Sequence, residues 1–267
     1  MNGTVTFLSD FGLQDDFVGV CHGVIARIAP TARVIDITHG IAPQAVLQGA
    51  VVLRNALPYV PIGVHLAVVD PGVGGDRRAI AVKAGDGRVF VGPDNGLILL
   101  AADDAGVVAA HELSDPRYRL QNVSRTFHAR DVFAPAAAHL VAGVGLEELG
   151  PALAPSELIR LDLPEPELGR AQIGAVVLAV DRFGNIATNV RGEHLEQLGI
   201  GPGDRVEIRL TLDRYYASVA TTFADEPSGE LILYEDSYGM VTLAISQGNA
   251  ARLTGVRTGD ELRIARE

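Results

Sequence analysis

The chain has 267 residues, 48% of them hydrophobic and 21% charged, with a formal net charge of −11. That is an ordinary balance for one large or two medium soluble domains, and it argues against general binding to nucleic acid or anionic membranes. A single cysteine, Cys21, excludes an intrachain disulfide and a cysteine-rich zinc site.

The first apolar run, 5–9, has no basic segment before it and is too short for a signal peptide core. No run of about 18 apolar residues follows it, so no transmembrane helix is expected and a cytoplasmic location is the default. The same run predicts a strand ending in Ser9-Asp10-Phe11-Gly12. Asp15-Asp16 then start a helix whose apolar face is Phe17, Val20, Val24, Ile25 and Ile28, stopped by Pro30. Cys21 lies within that apolar pattern and reads as a small core residue. A strand over 33–37, a helix over 43–57 and a strand over 64–69 complete an alternating pattern, that of a parallel α/β sheet.

The third strand runs into Val68-Val69-Asp70-Pro71-Gly72-Val73-Gly74-Gly75-Asp76-Arg77. This reads as an abrupt strand end followed by a backbone-rich loop, with Asp70 at the strand's carboxyl end and Arg77 within reach of it. A hairpin over 79–83 and 88–92, a turn at Pro93-Asp94-Asn95-Gly96, a short helix over 97–101 and a strand over 107–113 come next. A polar segment leads to Thr126-Phe127-His128-Ala129-Arg130-Asp131, then a helix carrying Phe133, Ala137, Leu140 and Val141.

The proline-rich stretch 150–169 marks a change of character. Strands are expected over 173–180, 205–212, 230–234, 241–245 and 261–264, with one helix over 193–198, so the second domain is a small β-barrel or sandwich. The expected organisation is an N-terminal α/β domain over 1–163, a linker over 164–169 and a mainly β domain over 170–267.

Three features call for chemistry: the strand-end acids Asp10, Asp36 and Asp70; the His128 segment; and Asp181-Arg182-Phe183-Gly184-Asn185. The Asp and His spacings match no metal motif. There is no glycine-rich dinucleotide fingerprint and no phosphate loop. A nucleoside fits better: a strand-end carboxylate can accept from ribose hydroxyls, Phe183 can stack, and Asn185 can pair with a base edge. With tryptophan absent, stacking falls to Phe, Tyr or His. Each residue also has a plain structural reading as a helix cap or a turn former.

Leu8-Ser9-Asp10-Phe11-Gly12, Val69-Asp70-Pro71-Gly72-Val73-Gly74, Gly92-Pro93-Asp94-Asn95-Gly96, Thr126-Phe127-His128 and Asp181-Arg182-Phe183-Gly184-Asn185 occur in that order over nearly the whole chain. In this the chain resembles the S-adenosyl-L-methionine (SAM) hydroxide adenosyltransferase family, relatives of the SAM-dependent fluorinase and chlorinase. The resemblance implies an N-terminal α/β domain with a C-terminal β-barrel. It implies homotrimers with sites between subunits, and conversion of SAM and water to adenosine and L-methionine without metal or cofactor. It also implies a water-preparing set at Asp70, Arg77 and His128, with Arg78 as the neighbouring alternative to Arg77. Asp10 falls at the ribose position, Asp15 near the methionine amino group, and Phe183, Asn185, Phe223, Asn249 and Ala250 at the adenine side. Ser237 matches the methionine carboxylate position, but Tyr238 stands where the halogenases have arginine.

Two rival readings follow. Halide transfer is disfavoured because the halogenases carry tyrosine at the Asp70 and His128 positions, and a carboxylate would repel a desolvated halide. A non-catalytic SAM or adenosine sensor would keep the binding residues without needing Asp70.

Overall fold

In the computed structural model, which describes residues 3–267, the chain divides into two units, Met1–Leu161 and Asp162–Glu267. Among the described residues no helix is long and apolar enough to cross a membrane.

The first unit contains, in chain order, β1 (Thr4–Ser9), α1 (Phe17–Ile28), β2 (Arg33–Thr38), α2 (Val46–Ala56), β3 (Val64–Val68), β4 (Ala79–Ala84), β5 (Val89–Pro93), α3 (Leu99–Asp104), β6 (Val107–Glu112), α4 (Ala134–Val141) and β7 (Ala152–Leu153). The strands form one sheet in the order β2-β1-β3-β5-β4-β6-β7. β2, β1, β3 and β5 are parallel, and β4 runs antiparallel to β5 and β6. β1, β3 and β5 are buried along their whole length, which is why they read as continuous apolar runs.

Side chains alternate across each strand, so the sheet feeds two cores. Val5 and Phe7 join Leu66 and Val68 in one core with Cys21 and Ile25 of α1 and Leu140 of α4. Leu8, Ala67 and Val69 join Leu53 of α2 and Leu99 of α3 in the other. Burial pushes the Cys21 thiol up to about 12, so it stays protonated and inert, as a core cysteine should.

The site is positioned by this topology. β1 connects outward through α1 to β2, whereas β2 returns through α2 to β3 on the other side of β1. The strand order therefore reverses between β1 and β3, and in open α/β sheets ligands bind at that crevice, beyond the carboxyl ends of the strands. Ser9 lies opposite Val68, so Asp10 and Asp70 leave the sheet at the same edge.

The helix expected after His128 begins as a π-turn over Ala129–Phe133 before α4. Pro135 has no N–H to give the Asp131 carbonyl, and that carbonyl instead accepts from Leu120 N at 2.9 Å. The helix expected from 43 starts at Val46, after a turn in which Gln44 adopts φ +66.

The second unit contains β8 (Glu167–Leu168), β9 (Gln172–Val180), β10 (Ile186–Arg191), α5 (Gly192–Gln197), β11 (Arg205–Arg209), β12 (Arg214–Val219), β13 (Leu231–Glu235), β14 (Met240–Ile245), α6 (Ala250–Thr254) and β15 (Glu261–Arg266). Seven strands close into a ring, β10-β14-β13-β12-β11-β15-β9, through the β9–β10 pairing, and β8 pairs outside β9. The unit is a barrel, not a sandwich. Closure leaves no free edge on these seven strands. Alternate residues such as Ile173, Ala175 and Val177 of β9 and Ile186 and Val190 of β10 fill its interior.

The sequence pattern missed β10, hidden behind the Asp181 turn, and β12, where only Ala217 and Val219 are buried. The strand expected to reach 212 ends at Arg209, because Leu210 N turns onto the Asp213 carbonyl at 2.9 Å. Within the stretch expected as a linker, β8 is a short paired strand.

Candidate active site

After β3 the chain makes two tight turns, Val73 N to Asp70 O at 3.2 Å and Gly75 N to Gly72 O at 3.0 Å, which bring Arg77 back over Asp70. Arg77 Nε lies 2.9 and 3.1 Å from the two Asp70 carboxylate oxygens, and Nη2 lies 2.5 Å from Oδ2. The same Nη2 lies 2.7 Å from His128 Nδ1, and the guanidinium carbon sits 5.1 Å from the centre of the Phe133 ring. The side chains of Arg77 and Asp70 are only 10% and 6% exposed, so solvent screens this pair weakly.

Arginine can only donate, so His128 Nδ1 is the acceptor, and neutral His128 carries its proton on Nε2. Burial, then the positive charge of Arg77, holds the His128 pKa below the usual histidine value. The structure thus brings Asp70, Arg77 and His128 into one hydrogen-bonded chain.

Arg78 points elsewhere. Its Nε donates to Asp94 Oδ2 at 2.8 Å and its Nη2 to the Glu157 carbonyl at 2.6 Å, while Asp94 Oδ1 accepts from Ile159 N at 2.9 Å. Arg78 is a brace for the 157–159 segment. Arg78→Ala is expected to cost about 2 kcal/mol of stability, the scale of a hydrogen bond to a charged group, and to leave turnover within about threefold of wild type. Thermal denaturation and a turnover assay check both.

Asp131 holds the segment before His128 in place. Fully buried, it accepts from Ser124 N at 2.8 Å and from Arg130 Nε at 2.7 Å. Asp10 Oδ2 accepts the Gln44 N–H at 2.9 Å, tying the β1 end to the turn before α2. Asp15 is exposed in the loop before α1, and Asp16, at the N-cap position, makes no side-chain cap bond.

In the barrel unit, Asp181 Oδ1 accepts from the backbone N–H groups of Phe183 and Asn185 at 2.8 and 2.9 Å, and Oδ2 accepts from Asn185 Nδ2 at 2.7 Å. Asp181 is thus a turn former that aims Asn185. Phe183, Asn185 and Phe223 line one cavity of about 620 Å³ together with Tyr234, Ser246 and Gln247. The Phe223 and Tyr234 rings lie 4.8 Å apart at 56°. Burial, with Asp236 and Asp181 nearby, pushes the Tyr234 hydroxyl up to about 12, so it remains a neutral phenol.

Asn249, Ala250 and Ser237 are not among the residues that line this cavity. Asn249 caps α6 by accepting from Arg252 N at 2.6 Å, and a side chain at Gly184 would overlap it. Ala250 is fully buried behind it. Ser237 sits in the β13–β14 turn, which Asp236 organises by accepting from Tyr238 N at 2.8 Å and Met240 N at 3.0 Å. Tyr234, Gln247 and Gln44 escaped the sequence reading. Nothing in the sequence signals the positive φ of the two glutamines, +55 at Gln247 and +66 at Gln44.

Comparison with known families decides what this arrangement belongs to. The profile of the SAM hydroxide adenosyltransferase N-terminal domain matches residues 5–150, and that of the C-terminal domain matches 175–263. The chain belongs to the SAM hydroxide adenosyltransferase family. Within it, the chain is 49% identical over 261 residues to a protein from Salinispora tropica named (R)-S-adenosyl-L-methionine hydrolase, covering 97% of both chains. It is 41% identical to a Thermus thermophilus protein of the same name, covering 97% of this chain and 98% of that one. A Nocardia brasiliensis fluorinase is 29% identical over 97% of this chain and 96% of its own. Among solved structures, an uncharacterized conserved protein from Thermotoga maritima superposes with a TM-score of 0.90 at 38% identity, covering 98% of this chain and all of that one.

Proposed function

We propose that this member of the SAM hydroxide adenosyltransferase family hydrolyses S-adenosyl-L-methionine to adenosine and L-methionine by attack of water on ribose C5′. The Asp70–Arg77–His128 chain carries this reading, because it sets a carboxylate, a guanidinium and an imidazole side by side, an arrangement that can hold a water and take its proton. The C5′–O bond forms as the C5′–sulfonium bond breaks. The bonding pair leaves with sulfur as neutral methionine, and the water's proton passes to the enzyme and then to solvent.

The sulfonium is already an activated leaving group, so the protein supplies position and a proton acceptor rather than an acid or a metal. The His128 tautomer points to the acceptor. Its Nδ1 lone pair is engaged by Arg77 and its Nε2 carries a proton. Asp70 therefore takes the proton, while His128 orients Arg77 and donates from Nε2. Water becomes strongly acidic as the C–O bond forms, so a carboxylate is base enough.

The acid side of the pH profile follows from this. Protonating His128 removes the acceptor for Arg77, so the neutral form is the working one. Burial and the Arg77 charge hold its pKa below the usual histidine value, so activity is expected to hold through neutral pH and to fall on the acid side of the usual histidine range. A kcat–pH profile with its acid limb above 7 would contradict the assignment.

The aromatic cavity supports adenine binding, with Phe183 and Phe223 as stacking surfaces and Asn185 Oδ1 facing a base edge. Phe223→Ala is expected to raise KM about 5- to 150-fold, the worth of one base–aromatic stack, with kcat little changed. Asp10 is proposed to hold the ribose hydroxyls, Asp15 the methionine amino group, and Ser237 the carboxylate. Asn249 and Ala250 are proposed to support the adenine pocket from behind its lining. A homotrimer is proposed from family membership, and light scattering in solution should count three chains per particle.

The reading is tested by incubating the protein with each sulfonium epimer of SAM, since the relatives' shared name specifies the (R) form. Equal amounts of adenosine and methionine are expected. Accumulation of 5′-chloro-5′-deoxyadenosine in chloride would favour halide transfer instead, and tight binding without product would favour a sensor.

A further inference from the structure

One other group of chemistry-bearing side chains converges in the first unit. α1 supplies His22, β2 supplies Asp36, and the loop after β2 supplies His39. His22 Nε2 lies 2.9 Å and His39 Nε2 3.1 Å from the same atom, Asp36 Oδ1. All three donor atoms lie within 4.8 Å of one another. A cation with bonds of about 2.1 Å and right-angled ligands sets its donors about 3.0 Å apart, so the two short edges already have coordination spacing.

His39 provides the second observation. It is 5% exposed, and its Nε2 is buried without a properly directed hydrogen-bond partner, although Asp36 is close by. Its Nδ1 lies 2.7 Å from Ser9 Oγ, which also accepts from Phe11 N at 3.3 Å. In the tautomer with Nδ1 donating to Ser9, Nε2 presents a lone pair to a carboxylate oxygen. Two acceptors that close repel unless a cation lies between them. A ring nitrogen fixed by a neighbouring oxygen while the other faces a carboxylate is the usual outer-shell pattern of a metal-bound histidine. Phe7 packs against both imidazoles, 4.7 Å from His39 and 6.1 Å from His22, and forms an apolar floor.

We propose that His22, Asp36 and His39 bind one divalent first-row transition-metal ion. Two imidazoles and one carboxylate select such an ion over magnesium or calcium. The site is structural. The His39 carbonyl accepts from Gly12 N at 2.7 Å and its ring holds Ser9, so the ion would tie α1 and β2 to the strand end that carries Asp10. The proposal does not depend on the reaction assigned above.

The test titrates the chelator-treated full chain with zinc by calorimetry and with cobalt by visible absorption, in excess magnesium. One ion per chain is expected, with a zinc-dependent rise in Tm. His22→Ala, at a half-buried position where the fold is not at risk, should weaken zinc binding by at least about 10²-fold and abolish the Tm rise. Ser9→Ala should weaken it about 10- to 100-fold through the outer shell. Absence of saturable binding, or binding unchanged in both His22→Ala and Asp36→Ala, means an adventitious ion only and overturns the proposal.

Discussion

Asp70→Ala is expected to lower the rate of adenosine release by about 10²- to 10⁴-fold, the usual worth of a positioned proton acceptor, while SAM affinity changes only a few-fold. The argument is geometric. Asp70 is the only anion of the buried chain, and Arg77 holds both of its oxygens in place. The substitution also strands Arg77, a largely buried cation, and breaking such a pair costs about 3–5 kcal/mol. Asp70→Asn separates the two effects. It keeps an oxygen for Arg77 and the volume of the side chain, so it should fold nearly as well as wild type yet lose about as much turnover as alanine. His128→Ala should also abolish measurable release while SAM still binds, because Arg77 loses the acceptor that orients it. Single-turnover assays beside equilibrium SAM binding check all three. Full turnover in both Asp70→Asn and His128→Ala would remove the proposed water-activating set.

Gly74→Ala is expected to cost at least about 1–2 kcal/mol of stability and about 10²-fold in activity. Gly74 has φ +78, a conformation that penalises any side chain, and an added Cβ would overlap the Arg125 carbonyl oxygen. Backbone cannot move aside as a flexible side chain could, so the 70–77 loop must shift. That loop carries Asp70 at one end and Arg77 at the other, and Arg125 lies three residues before His128. One methyl group therefore spreads the set by the ångström scale that in-line attack does not tolerate. Gly72 tests the specificity of the effect: an added Cβ there meets the Arg77 side chain at 3.2 Å rather than backbone, so Gly72→Ala should be much milder. Denaturation curves and kcat for the two variants make the comparison.

Much of this is legible in the sequence, and the reasons are physical. β1, β3 and β5 are buried on both faces, so their apolar runs stand out, and the alternation with α1 and α2 implies a parallel sheet. The order reversal between β1 and β3 then puts Asp10 and Asp70 on one edge. The 70–77 loop could be read because Asp-Pro-Gly chemistry and the seven-residue spacing to Arg77 are local.

What escaped is long-range. Arg77 and Arg78 are neighbours in sequence, and only the fold sends one to Asp70 and the other to Asp94, sixteen positions away. The π-turn at Ala129–Phe133 depends on Leu120 N arriving to donate to the Asp131 carbonyl, a bond Pro135 cannot make. β12 carries exposed tyrosine and arginine on its outer face, so its strand pattern has only two buried positions. The His128 tautomer follows from a contact across 51 residues, which no local pattern contains.

The most direct measurement of the central claim is turnover of SAM in water enriched in oxygen-18, with the products resolved by mass spectrometry. Attack of water at C5′ predicts one heavy oxygen in the 5′-hydroxyl of adenosine and none in methionine. Unlabelled adenosine, or label appearing in a methionine-side product, would contradict it.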